Sequence, residues 1–222
     1  YVRNRSRFIA FVDSVSKPKR LYRIFNSISN MGKINLEKIR KKMGNADKAR
    51  EEVIRDGRKI IKTSKTAIGA VHRDELENAE KVIVLMKEDL AELKKKAEKS
   101  PRLMYEGIFK VAVQEYVEAL SLLEFVKNGK IITYDDEFVD PENYLLGLCD
   151  LSGELVRKAI NSCLKENYSM AVKIRKILEE LYIEMSKFEL RNGELRRKYD
   201  GIKYDMKKLD DLVFQLKMKD KI

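Results

Sequence analysis

The chain has 222 residues, 44% of them hydrophobic, enough to bury a substantial core as one large domain or two small ones; one is expected. Charged residues make up 37% beside plentiful aliphatic ones, which excludes an intrinsically disordered chain and predicts a salt-rich surface. The net charge of +11 makes a polyanion a reasonable partner, and no run approaches the roughly 18 consecutive apolar residues of a membrane span.

Seven basic side chains (Arg3, Arg5, Arg7, Lys17, Lys19, Arg20, Arg23) stand against Asp13 alone in residues 1–30, so +6 of the +11 lies there. These residues read as a basic N-terminal extension that need not be native, with Met31-Gly32-Lys33 a credible start and a single helical domain over 31–222. Apolar positions from Leu36 through Ile39, Met43, Val53, Ile60, Ala67 and Ile68 to Val71 recur at helical spacing, predicting one long amphipathic helix. A second is expected from about Asp74 to Glu98. Two of the three prolines, Pro101 and Pro141, follow Ser100 and Asp140, pairs that mark helix starts. They predict a third helix to about Lys127 and a fourth to about Leu164. Between them lies a loop opened by Asn128-Gly129, in which 131–134 is the only strand candidate and too short to found a sheet. A fifth helix is expected from Asn167 or Ser169 to about Leu190, and a sixth from Gly193 to about Lys219. The predicted fold is all-α, an antiparallel bundle of about six long helices. Cys149 and Cys163 lack metal-ligand or disulfide spacing and read as buried thiols of a cytoplasmic protein.

The third and fourth helices are the most apolar, yet each carries a pair of acids on one face: Glu115 and Glu118 three residues apart, Asp150 and Glu154 four apart. Carboxylates in such surroundings are costly to bury, and like charges converging across a helix pair repel. A divalent cation removes both penalties. Oxygen-only donors point to Mg²⁺, with Mn²⁺ as the alternative, and suit phosphodiester hydrolysis. The competing reading is that the acids ring exposed helix edges and pair with Lys or Arg; spacing alone leaves both open. Ser152 and Gly153 are expected to let a neighbouring helix or a substrate backbone come close.

The block from Tyr144 to Ser162 (YLLGLCDLSGELVRKAINS) resembles the helix that carries the catalytic Asp and Glu in translin-associated factor X, and Gln114 to Ala119 (QEYVEA) resembles its other catalytic segment. The block Leu195 to Lys208 is most similar to the C-terminal region of translin. The resemblance to the translin and translin-associated factor X family covers roughly residues 34–217. It implies a Mg²⁺-dependent endoribonuclease with Glu115, Glu118, Asp150 and Glu154 as catalytic and metal-binding residues, all in one chain, as in a simpler, archaeal relative. It further implies a hollow homo-oligomer, an octamer in size, enclosing single-stranded or short duplex RNA. The family's basic stretch before Gln114 keeps few cations here, so RNA contacts are assigned to Arg102, Lys110, Arg157, Arg196, Arg197 and Lys198. The alternative function is a non-catalytic, translin-like binder of single-stranded RNA or DNA; a third is a helical assembly protein whose charge is incidental.

His72, the only histidine, is expected to serve capping or surface contact, and no Glu-x-x-His pair supports a ferritin-like di-metal site. Ser152 reads as a small packing residue. The C-terminal apolar spacing of Leu195, Ile202, Met206, Leu209, Val213 and Leu216 assigns that helix to core or interface, in preference to base stacking by Tyr199, Tyr204 and Phe214.

Overall fold

The computed structural model describes residues 35–135 and 139–222; the basic extension over 1–30 lies outside them. Contacts divide the chain into residues 1–45 and 46–222, and the second unit holds both the core and the acid pairs. Among the described residues there are seven helices and no strand: α1 (Glu37–His72), α2 (Leu76–Ala97), α3 (Pro101–Met104), α4 (Gly107–Asn128), α5 (Pro141–Leu164), α6 (Tyr168–Ser186) and α7 (Glu194–Met218). None of the described helices is long and apolar enough to cross a membrane. The all-α expectation holds, and the fourth predicted helix has the bounds read from the Asp-Pro pair.

Asp140 caps α5 as its residue type requires, one carboxylate oxygen accepting from the Asn143 N–H at 3.1 Å. Ser100 has the extended backbone of a cap but makes no capping bond. The third predicted helix is in fact two. The chain breaks at Tyr105 and Glu106, where the Glu106 backbone is extended and its side chain accepts from Arg50 Nε of α1 at 2.7 Å. Gly107, a poor helix former, then opens α4. Gly129 closes α4 at φ 68°, its N–H donating to Phe125 O at 2.8 Å; only glycine takes this left-handed turn without strain. The strand candidate is an extended connection, held where Tyr144 Oη donates to Ile132 O at 2.6 Å.

Helix α4 packs between α2 and α5, and α5 also contacts α6 and α7. The core between them is aliphatic, with Met86, Leu90, Leu122, Leu151, Leu155, Ile174, Leu178 and Ile202 fully buried. Each such side chain contributes about 1.5–3 kcal/mol. From α7, Tyr199 stacks on Tyr182 inside the bundle with ring centroids 5.0 Å apart, while Ile202, Leu209, Val213 and Leu216 are buried. That is the core role expected of this helix, although Tyr204 and Phe214 face outward.

Of the described glycines, Gly147 makes the closest approach to another helix, and Gly153 does not share it. A Cβ on Gly147 would lie 2.7 Å from Val117 Cβ and 2.8 Å from Gln114 O, whereas one on Gly153 would meet nothing within 4 Å. The small residue that brings α4 and α5 together thus sits three positions before Asp150, and its contact, Val117, precedes Glu118. Gly147→Ala should therefore cost about 1–3 kcal/mol through forced separation of the helices. Gly153→Ala should gain up to about 1 kcal/mol from helix propensity. Thermal unfolding followed by circular dichroism checks the pair; equal melting temperatures for the two variants would contradict this packing.

Candidate active site

Four helices supply the site. The paired acids of α4 and α5 face one another beside the Gly147 contact, with α1 on one side and α7 on the other. Glu118 lies at the centre. Burial, and then in turn the charges of Glu115, Asp150 and Glu154, push its carboxyl up to about 8, with Lys198 opposing them. The other three acids therefore lie near enough to raise the Glu118 carboxyl, which places the four in one region of the bundle.

The other three carboxylates each have a protein partner. Ser64 Oγ on α1 donates to Glu115 Oε2 at 2.7 Å. Lys198 Nζ on α7 donates to Asp150 Oδ2 at 2.6 Å and to Gln114 Oε1 at 3.3 Å. His72 Nε2 on α1 contacts Glu154 Oε2, which Arg157 also approaches at 3.4 Å. The His72 hydrogen bond is the main reason the Glu154 carboxyl is held below the ordinary carboxylate range. Among the described residues, the hydrogen bonds at each of these carboxylates fall on one of its two oxygens. As the side chains stand, no three His, Cys, Asp or Glu groups among the described residues converge on a single metal position. The donor chemistry nonetheless fits a hard divalent cation: four carboxylates, one of them disfavoured as an anion by the rest.

Behind the acids runs a buried amide relay. Gln114 Nε2 donates to Asn143 Oδ1 at 2.7 Å, and Asn143 Nδ2 donates to Asp140 Oδ2 at 2.6 Å, tying the α5 cap to the residue before Glu115. Both amides are buried, and such fully paired networks hold their members in one arrangement. Ser152 is buried, and its hydroxyl lies 2.8 Å from both Cys149 O and Asp205 Oδ2, two acceptors for its one hydrogen, which is a packing role beside a polar group of α7. Cys149 offers no thiolate, because burial and then Asp150 push its thiol up to about 12.

Of the six cations assigned to RNA, two are engaged at the acids: Lys198 pairs with Asp150, and Arg157 approaches Glu154. Arg196 pairs with Asp200 at 3.0 Å, and Lys110 Nζ lies 5.8 Å over the Tyr105 ring. Arg102 and Arg197 are exposed. His72 corrects the expectation of a capping or surface histidine: it is 6% exposed and touches a candidate catalytic acid. Residue order does not connect His72 or Ser64 with the acids, because their partners lie 82 and 51 positions away. The one available signal was their place on the buried face of α1.

The raised Glu118 carboxyl has a consequence for metal-free protein. A folded-state value of about 8 against the ordinary 4.5 means that the folded chain binds this proton more tightly than the unfolded chain does. Stability should therefore fall as pH rises between those two values. In EDTA, the wild-type melting temperature should decline from pH 5 to about pH 8, a range set by that shift, and Glu118→Gln should remove this part of the slope. Identical slopes would show that Glu118 is not held neutral.

The Translin family profile matches residues 48–220 of this chain. An uncharacterized protein of Methanocaldococcus jannaschii is 30% identical over 165 residues, covering 71% of this chain and 72% of that one. The crystal structure of apo-NeC3PO superposes with a TM-score of 0.76 at 27% identity, covering 82% of this chain and 97% of that chain. The AfC3PO complex with duplex RNA superposes with a TM-score of 0.69 at 26% identity, covering 83% and 97%. On the span and specificity of these matches, the chain belongs to the Translin family.

Proposed function

We propose that this protein is a metal-dependent endoribonuclease that hydrolyses RNA phosphodiester bonds within a homo-oligomer, an octamer being the expected size. The observation that carries the proposal is the pair of acids on each of two packed apolar helices, with half-buried Glu118 close enough to Glu115, Asp150 and Glu154 that desolvation and their charges push its carboxyl up to about 8. An aliphatic helix interface has no structural use for four neighbouring acids, whereas a cation offsets their repulsion and desolvation together. Likeness to a protein solved with duplex RNA supports RNA as the polyanion.

In this reading Glu115, Glu118, Asp150 and Glu154 hold Mg²⁺ or Mn²⁺, which when bound supplies Lewis acidity and an activated water for attack on the phosphodiester. The chain's own part is positional. Ser64, His72 and Lys198 orient three of the carboxylates, and the Gln114–Asn143 relay fixes α4 against the start of α5. Lys198, paired with Asp150 in the described arrangement, is placed to meet a phosphate oxygen once a cation shares that carboxylate. Arg157 flanks the same centre from the exposed side.

Labelled single-stranded and duplex RNA incubated with Mg²⁺ or with EDTA tests the proposal. Cleavage is expected only with the metal. Glu118→Gln and Asp150→Asn should each lose on the order of a thousandfold or more in rate, the equivalent of several kcal/mol of transition-state stabilisation, with RNA binding near that of the wild type. Binding without cleavage at any metal concentration would instead support the translin-like reading, a non-catalytic binder of single-stranded RNA or DNA.

A further inference from the structure

One face of α5 grips the last turn of α1. Glu154, Lys158 and Asn161 follow one another at i, i+4 and i+7 and so share that face. Lys158, almost wholly buried, donates to Val71 O at 2.8 Å and pairs with Asp74. Asp74 adopts φ 66° just past the helix end and also accepts from Lys165. Between Val71 and Asp74 stands His72, its ring wedged between Glu154 and Asn161. Asn161 Nδ2 lies 3.5 Å from His72 Nδ1 and Glu154 Oε2 contacts Nε2. The carboxylate can only accept, so Nε2 carries the hydrogen of the bond to Glu154, while the Asn161 amide faces the other ring nitrogen.

From this arrangement, and resting on the metal-site reading above, we infer that His72 is a positioning residue for the cation: it anchors Glu154 Oε2 so that Oε1 is presented to the ion. The chain Asn161 to His72 to Glu154 fixes the carboxylate's rotation through a donor that never needs to touch the ion. Arg157 approaches the same Oε2, so both contacts described at this carboxylate fall on one oxygen. Ser64 does the equivalent for Glu115, also through Oε2 and also from α1. Helix α1 thus forms the outer shell of a site whose ligands lie on α4 and α5. Hydrogen-bonded orientation of this kind commonly sets metal affinity, and its loss weakens binding by about 10–100-fold. Lys158 serves the same end at one remove, because its bond to Val71 O sets where the final turn of α1, and therefore His72, meets α5.

Calorimetric titration of the full chain with MnCl₂ tests the role without reference to catalysis. His72→Leu, which fills the buried space but cannot donate, should bind Mn²⁺ about 10–100-fold more weakly than wild type, with helical content unchanged. His72→Gln, whose side-chain amide can place an N–H near the position of Nε2, should recover most of the affinity. Wild-type affinity in His72→Leu, or no recovery in His72→Gln, overturns the positioning role while leaving the nuclease proposal standing. Should His72→Leu lose its fold, Asn161→Leu takes its place: it keeps the ring, removes the donor facing Nδ1 and should also weaken Mn²⁺ binding, whereas an unchanged Kd overturns the inference. Wild-type protein that binds no Mn²⁺ overturns both the inference and the metal reading on which it rests.

Discussion

Four carboxylates at one helix interface constrain everything around them. Glu118 cannot be buried against α5 as an anion while Glu115, Asp150 and Glu154 remain charged, because desolvation and mutual repulsion add. The remedies visible in the protein are partial. Lys198 offsets Asp150, His72 and Arg157 hold Glu154, and the Ser64 hydroxyl holds Glu115. Glu118 has the field of all three and only the weaker opposition of Lys198. A binding protein gains nothing from such a concentration of acids, since an anionic interface repels phosphate. A site that loads a divalent cation turns the same concentration into affinity.

The fold around this interface is arranged to keep the acids in register. Gly147 brings the backbones of α4 and α5 together directly beside them, so neither helix can shift without moving a pair of carboxylates. The buried Gln114–Asn143–Asp140 relay joins the first acid segment to the α5 cap. On the far side, Lys158 closes α5 onto the end of α1. Rigid helices with locked outer contacts give the placement that metal-assisted hydrolysis demands. The helices themselves owe their stability to an aliphatic core that the site does not interrupt.

Much of this was legible in residue order. The Asp-Pro pair at 140–141 announced α5 because a capping carboxylate and a proline at the first helical position are each preferred there. The acid pairs stood out against apolar neighbours, and their spacing placed each pair on one face. What residue order concealed was the set of contacts made across the chain. His72 resembled any surface histidine until the α1–α5 packing placed it on Glu154. Lys198 looked like one cation in an Arg-Arg-Lys run until α7 carried it to Asp150. The break at Tyr105 and Glu106 was hidden because the apolar pattern continues across it; Arg50, far away in sequence, takes the Glu106 side chain at that point. Ser152 and Gly153 stand beside the acids in residue order, but only the facing helix shows that the close approach is made at Gly147.

The most direct measurement is the anomalous scattering of Mn²⁺ in crystals of the full-length chain. Bound manganese is expected between α4 and α5, coordinated by Glu118 and by the second oxygen of each of Glu115, Asp150 and Glu154 at roughly 2.0–2.2 Å, the range for small divalent ions on carboxylates. Manganese found only on surface carboxylates, with the Glu118 pocket left empty at saturating metal, would contradict the central claim.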